Sequence, residues 1–293
     1  MDFHTQRRGG TAVRNRIYME ITNRCNLSCD FCHGTKRPPR TMTAAEFRTL
    51  AEKLRGHTRY LYLHVLGEPL LHPQLEELMA IAGEMGFRAC LVTNGTLLSR
   101  RLPALLAAED LHKVSVSLHS FEGNGGVGDL DEYLQQVWDA CLPLSDRGVL
   151  CALRLWNEGA LPRLNGAVEE FLSRQIGRDT ATLPRDARGN RTLRPNLFLE
   201  QAERFAWPDL AAPESGANFC HGLTRQLAVL ADGTVTPCCL DSEGTIALGN
   251  LFSQSLEEIL RSPRAAAMAA GLAARKLTEE LCRRCGYAGR FTK

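Results

Sequence analysis

Short apolar runs alternate with longer stretches of helical periodicity over the first half of this chain. Residues 17–21, 60–65, 88–92, 113–118 and 150–155 read as strands, and residues 43–54, 74–85, 99–108 and 129–146 read as helices between them. That rhythm predicts βα units around a parallel sheet. Thr43, after the Pro38-Pro39 pair, marks the start of the first helix, while Gly86 and Gly148 close later ones. The rhythm fades after residue 178. The chain therefore divides into an α/β unit over 1–178 with its core from about residue 15, a bridge carrying the last strand over 179–218, and a small module over 219–293.

Parallel strands covered on both faces usually read as continuous apolar runs, but these strands alternate. Leu61, Leu63 and Val65 oppose Tyr60, Tyr62 and His64; Ile17, Met19 and Ile21 oppose Tyr18 and Glu20. Val114, Val116 and Leu118 oppose Ser115, Ser117 and His119, and Leu153 and Leu155 oppose Arg154 and Trp156. Period-two alternation sends one set to the helices and the other into a lumen. Glu20, His64, Glu68, Asn94, Ser117, His119 and Arg154 are expected to line it. Polar groups buried without partners cost about 1–3 kcal/mol each, so a polar ligand is expected there. His64 and His119 read either as substrate contacts or as satisfied core histidines.

At 293 residues, with 44% hydrophobic and 23% charged positions, the composition is that of an ordinary globular protein. A net charge of +2 makes no electrostatic case for nucleic acid or an anionic membrane as partner. Residues 1–10 lack the apolar stretch of a secretory signal, and no run approaches a membrane span. The expectation is a soluble, cytoplasmic protein. Eleven cysteines, an odd number, point there to metal ligation and buried thiols rather than disulfides, and to sensitivity to oxygen.

Cys25, Cys29 and Cys32 stand in Cys-Asn-Leu-Ser-Cys-Asp-Phe-Cys, directly after an apolar run. Three thiolates are one too few to close a four-iron cubane, which leaves one iron open to an external ligand. A zinc knuckle, with His33 as fourth ligand, or a set of buried thiols is the alternative. Cys220, Cys238, Cys282 and Cys285 offer the four thiolates of a closed cluster, or of a four-cysteine zinc site. Asp232-Gly233 sits between two β runs, a hairpin that returns Cys238 toward Cys220. Cys239 cannot easily point the same way as Cys238 and stays outside the ligand set. Cys90, Cys141 and Cys151 fall within strands or a helix as small buried apolar residues.

The segment from Glu20 to Cys32, with Phe31 directly before the third cysteine, resembles the radical S-adenosylmethionine (radical SAM) enzymes. Leu66-Gly67-Glu68-Pro69 is similar to the family's Gly-Glu-Pro segment, with Leu66 where many relatives carry glycine. Val92-Thr-Asn-Gly95 resembles the turn after the third strand, and Val114-Ser-Val-Ser-Leu-His119 resembles the fourth strand. The spacing of the second cysteine set resembles the SPASM and Twitch branches, in the shorter Twitch form with one auxiliary cluster.

The resemblance implies a partial (β/α)6 barrel with a small C-terminal iron–sulfur module. It implies an open-site [4Fe-4S] cluster on Cys25, Cys29 and Cys32, bound SAM, and an auxiliary [4Fe-4S] cluster on Cys220, Cys238, Cys282 and Cys285. Phe31, Gly67, Glu68 and Pro69 are implied SAM contacts, with Glu68 at the amino group. Asn94 and Ser117 suit the ribose, and Ser117 and Arg154 suit the carboxylate. Reductive cleavage of SAM would yield a 5′-deoxyadenosyl radical that abstracts hydrogen from a small-molecule or peptide substrate, with a flavodoxin- or ferredoxin-type reductant. The expectation is net oxidation through the auxiliary cluster. The alternatives are a redox-neutral lyase or rearrangement on a small heterocycle such as a deazapurine base, and a non-catalytic electron carrier.

Overall fold

The computed structural model describes residues 7–8, 11–12, 14–126, 128–159 and 163–291. Apart from Arg7 and Arg8, the segment 1–10 read above for a secretory signal lies outside the described residues. A two-residue ladder, β1 (Arg7–Arg8) with β2 (Thr11–Ala12), precedes the main sheet. Six strands of that sheet then run parallel in chain order. They are β3 (Arg16–Met19), β4 (Tyr60–Tyr62), β5 (Arg88–Thr93), β6 (Leu111–Ser117), β7 (Leu150–Glu158) and β9 (Leu197–Glu203), and the last also pairs with antiparallel β8 (Arg191–Arg194).

Helices α1 (Ala44–Leu54), α2 (Leu75–Glu84), α3 (Leu98–Ala107), α4 (His119–Gly123), α5 (Leu130–Asp146) and α6 (Asn165–Ile176) fill the crossovers. Strands laid down in sequence order with right-handed crossovers put their helices on one face, which leaves the other face free to curl around a lumen. This is the (β/α)6 arrangement expected. Side-chain parity follows: Ile17, Leu61, Leu63, Val114 and Val116 are fully buried in the apolar core. Thr43 caps α1 through a reciprocal capping box with Glu46, and Asp129 caps α5 by accepting from the Glu132 N–H.

The bridge contains more order than the fading periodicity suggested. β8 and β9 form a hairpin within it, turned at Asn196 with φ of 61°. The C-terminal module, in turn, is not hung on a linker. Its strand β10 (Gln226–Val229) pairs in parallel with β3, in the register Gln226 with Arg16 through Val229 with Met19. β11 (Thr234–Thr236) and β12 (Gly249–Asn250) add antiparallel strands beyond it, so ten strands form one sheet.

Gly233, at φ +84°, makes the β10–β11 turn, and a Cβ there would lie 2.4 Å from the Phe252 ring. α7 (Leu256–Leu260), α8 (Pro263–Ala273) and α9 (Glu280–Arg283) complete the module. The Lys53 ammonium of α1 donates to the carbonyls of Leu251, Phe252 and Gln254, tying the two parts together, and one apolar cluster runs through both. Among the described residues no helix is long and apolar enough to cross a membrane.

Candidate active site

The loop carrying Cys25, Cys29 and Cys32 leaves the end of β3. Cys25 and Cys32 are exposed and Cys29 is half-buried, and all eleven cysteines of the chain are free. Amide donors converge on the sulfurs. Asn124 Nδ2 donates to Cys29 Sγ at 3.0 Å, Asn94 Nδ2 to Cys25 Sγ at 3.9 Å, and the Leu27 N–H to Cys25 Sγ at 3.5 Å. Burial pushes the Cys29 thiol up to about 11, against the pull of Asn124. A bound metal deprotonates a coordinating thiol outright, so amide donors that stabilise sulfur charge fit an iron–sulfur ligand loop.

The Gly-Glu-Pro segment is the clamp on this loop. Gly67 has φ of +77°, and a Cβ there would lie 2.4 Å from the Thr22 carbonyl oxygen and 2.9 Å from that of Arg24. Only glycine lets the two backbones approach so closely. The Glu68 N–H then donates to Arg24 O at 2.8 Å. The Glu68 carboxylate is buried and accepts from Leu70 N–H, Thr93 Oγ1 and Asn94 N–H at 2.8–3.0 Å. A carboxylate offers about four acceptor sites. One acceptor site therefore remains, although the larger part of Glu68's bonding pins the β5 turn. Pro69 opens the short 3-10 turn that follows.

On the other side of the loop, Gly123 lies so close to Phe31 that a Cβ would meet the ring at 2.7 Å. The Phe31 ring stands 4.7 Å from that of His119, and its carbonyl accepts from Trp207 Nε1 at 2.8 Å.

Of the seven residues expected in the lumen, four line it and three do not. His64, Ser117, His119 and Arg154 border a cavity of about 460 Å³ that also includes Tyr18, Tyr62 and Trp156. Glu20, Glu68 and Asn94 lie off it. Glu20 is fully buried in a bidentate pair with Arg37 at 2.6 and 2.8 Å and accepts from Ala231 N–H at 3.0 Å. Parity fails for it because β3 ends at Met19 and the chain bends away. Asn94 bonds Asn26 as well as the Cys25 sulfur and so belongs to the loop scaffold.

Arg154 lines the cavity, but its charge is matched by Glu200 at 2.9 Å and its guanidinium lies 4.5 Å from the Trp156 ring centroid, which leaves it less free for a ligand carboxylate than expected. His119 Nδ1 lies 3.0 Å from the Arg154 carbonyl oxygen, as in a satisfied core histidine, and burial pulls its pKa down to about 4. His64 differs. Burial and the nearby Arg154 hold it neutral, with a pKa lowered to about 3, and its Nδ1 has no hydrogen-bond partner among the described residues.

Cys220, Cys238, Cys282 and Cys285 surround one apolar cavity walled by Leu240, Ile246 and Leu281. Desolvation raises all four thiols, and repulsion from Cys220 and Cys285 adds to the shift at Cys282. Among the described residues no three Cys, His, Asp or Glu side chains are placed to hold a single metal ion. Cys239 faces away from this ring, into the barrel cavity beside Tyr18.

Sequence reasoning missed Asn124, which sits on a short helix end with no motif to mark it. It also missed Arg16, which shares the parity of Tyr18 on β3, and Arg225 and His221, which reach the barrel cavity because β10 joins β3.

Comparison with known proteins agrees with this geometry. A family model for the radical SAM superfamily matches residues 19–147, and one for an iron–sulfur cluster-binding domain, SPASM, matches residues 220–286. The Fe-coproporphyrin III synthase of Methanosarcina barkeri is 31% identical over 129 residues, 43% of this chain and 32% of that protein. The antilisterial bacteriocin subtilosin biosynthesis protein AlbA of Bacillus subtilis is 24% identical over 278 residues, 83% of this chain and 59% of that protein. The crystal structure of BtrN in complex with AdoMet and 2-DOIA shares the fold, with a TM-score of 0.57 at 19% identity over 94% of each chain. The chain spans about a third of the length of the first curated relatives it matches, at 32%, 36% and 30%. A radical SAM domain takes a [4Fe-4S] cluster and SAM, and a SPASM domain takes auxiliary iron–sulfur.

Proposed function

We propose, from the premise that this chain is a radical SAM enzyme with a SPASM-type C-terminal domain, that it abstracts hydrogen from a small-molecule or peptide substrate held between two iron–sulfur sites. One observation carries the reading. A single cavity is bounded at one end by Phe31 of the three-cysteine loop and at the other by His221, Leu240, Tyr287 and Phe291, which also wall the four-cysteine ring. With its cofactors bound, the site supplies one-electron cleavage of SAM to methionine and a 5′-deoxyadenosyl radical.

The residues of the chain do the rest. Cys25, Cys29 and Cys32 would hold the open-site cluster, and Asn94 and Asn124 fix the sulfurs of Cys25 and Cys29. Gly67 and Glu68 lock the loop in place, with one Glu68 acceptor left for the SAM ammonium. Trp156, Tyr18 and Tyr62 wall the cavity and keep water from a reactive substrate. His64 stays neutral and forms part of the cavity wall beside Tyr18 and Tyr62. Cys220, Cys238, Cys282 and Cys285 would hold the auxiliary cluster at the far end, and a cluster there would supply the electron acceptor that an oxidation needs. The reductant is a flavodoxin- or ferredoxin-type protein, and the compartment is the cytoplasm.

The test is incubation of anaerobically reconstituted protein with SAM, a reductant and the small-molecule and peptide pools of a cell extract. Oxidation predicts a product lighter than its substrate by two hydrogens. A product isomeric with its substrate contradicts the oxidative assignment and favours rearrangement.

A further inference from the structure

Four arginines and no carboxylate line the barrel cavity among the described residues. Two of the arginines have their charge matched from behind, Arg154 by Glu200 at 2.9 Å and Arg204 by Asp30 at 3.5 Å. Arg16 and Arg225 form no ion pair among the described residues, and both are exposed to the cavity. The sheet itself brings them together. β10 runs parallel to β3 with Gln226 in register with Arg16, and the Arg225 carbonyl accepts from the N–H groups of Asn15 and Arg16. Both guanidiniums act on His221, whose pKa falls through burial first and then through Arg225 and Arg16, so the nearby imidazole adds no compensating charge.

Arg16 interacts with the phenol groups of Tyr18 and Tyr62, but neither it nor Arg225 has a carboxylate partner, so positive charge at this end of the cavity is left unmatched. An anion matches it. SAM is assigned to the side of the three-cysteine loop, with its ammonium at Glu68, which leaves this pair of arginines to a different anion. Arg16 also lies with its guanidinium carbon 5.7 Å from the Tyr62 ring centroid, a stacked planar donor suited to two-point binding of a carboxylate or phosphate. The aromatic walls at Tyr18, Tyr62 and Tyr287 suit a flat or apolar body attached to that anion.

We propose that Arg16 and Arg225 form the anchoring subsite for an anionic substrate, holding its carboxylate or phosphate at the module end of the cavity with the rest of the molecule directed toward Phe31. This rests on the reading that the cavity is the substrate site. It narrows the substrate class to anions small enough for the cavity, or to a peptide that inserts one acidic or modified side chain.

Equilibrium binding to the full, anaerobically reconstituted protein at constant ionic strength tests it, with phenyl phosphate, benzoate and neutral benzamide as probes. The expected result is that phenyl phosphate or benzoate binds and benzamide does not, and that Arg16→Gln and Arg225→Gln each weaken the anion by about tenfold or more. Preference for phenyl phosphate identifies a phosphate anchor and preference for benzoate a carboxylate anchor. Binding of benzamide as tight as the anions, no binding of either anion, or unchanged anion affinity in folded variants with full iron content overturns the proposal. Formation of 5′-deoxyadenosine by the wild-type protein is measured separately, so failure of the radical reading is distinguishable from failure of the anion site.

Discussion

Asn124 holds Cys29 from below: its side-chain amide donates to the cysteine sulfur at 3.0 Å and to the Ser120 carbonyl at 2.8 Å, while its oxygen accepts from the Ser28 N–H. One side chain therefore fixes both the position and the charge environment of a proposed cluster ligand. Hydrogen bonds to cluster sulfurs raise the reduction potential by stabilising the more negative, reduced state. Asn124→Ala should leave the iron count intact but shift the loop cluster's potential to a more negative value, read by redox titration under electron paramagnetic resonance. An unchanged potential would show that the 3.0 Å contact carries no electronic weight.

Gly67→Ala tests the backbone clamp. The substitution forces a Cβ into the Thr22 carbonyl at 2.4 Å while demanding a φ of +77° from an alanine. Strain of this kind costs about 1–3 kcal/mol, and displacement of the loop adds to it. The expected outcome is a lower unfolding temperature together with poorer iron uptake at the loop site. Wild-type values for both would mean that the Gly-Glu-Pro segment is not what positions the loop.

The division between Cys238 and Cys239 is directly testable. With both clusters loaded, the protein should hold about eight irons, and Cys282→Ala with Cys285→Ala should leave about four. Cys239→Ser should leave all of them, because its thiol faces the barrel cavity rather than the four-cysteine ring. Loss of iron on Cys239→Ser, or zinc in the purified module, contradicts the ligand set.

His64 predicts a pH dependence. Its pKa in the folded protein, about 3, lies below the ordinary histidine value near 6.5, so the unfolded chain binds the extra proton between them. The stability contributed by neutral His64 is therefore fully present above about pH 6.5 and is lost as the pH falls toward 3. The groups that face it are Tyr18, Tyr62 and Arg154, and none is an acid that would offset the cost of charging it. Between about pH 7 and about pH 5 the unfolding temperature of the wild type should fall more steeply than that of His64→Asn. Parallel slopes would show that His64 is solvated in the folded state.

The order of strands and helices was legible because alternation and helical periodicity are local properties that the chain carries residue by residue. Thr43 and Gly233 stand where their local signals put them. Parity also identified the lumen face, and His64, Ser117, His119 and Arg154 are on it. It failed at Glu20, one residue past the end of β3, where side-chain direction is no longer set by the pleat and Arg37 captures the carboxylate. What stayed hidden is long-range. Nothing near Gln226 announces that it will lie beside Arg16, some two hundred positions earlier, and the cavity's charge depends on that pairing.

The central claim is that the three-cysteine loop, clamped by Gly67 and Asn124, holds an open-site cluster that cleaves SAM. The most direct measurement is single-turnover formation of 5′-deoxyadenosine from SAM by the chemically reduced, iron-loaded protein, compared with Cys25→Ala, Cys29→Ala and Cys32→Ala combined. The account predicts 5′-deoxyadenosine from the wild type and none from the triple variant, even though the variant retains the iron held by Cys220, Cys238, Cys282 and Cys285. No 5′-deoxyadenosine from fully iron-loaded wild type, or equal amounts from both proteins, would contradict it.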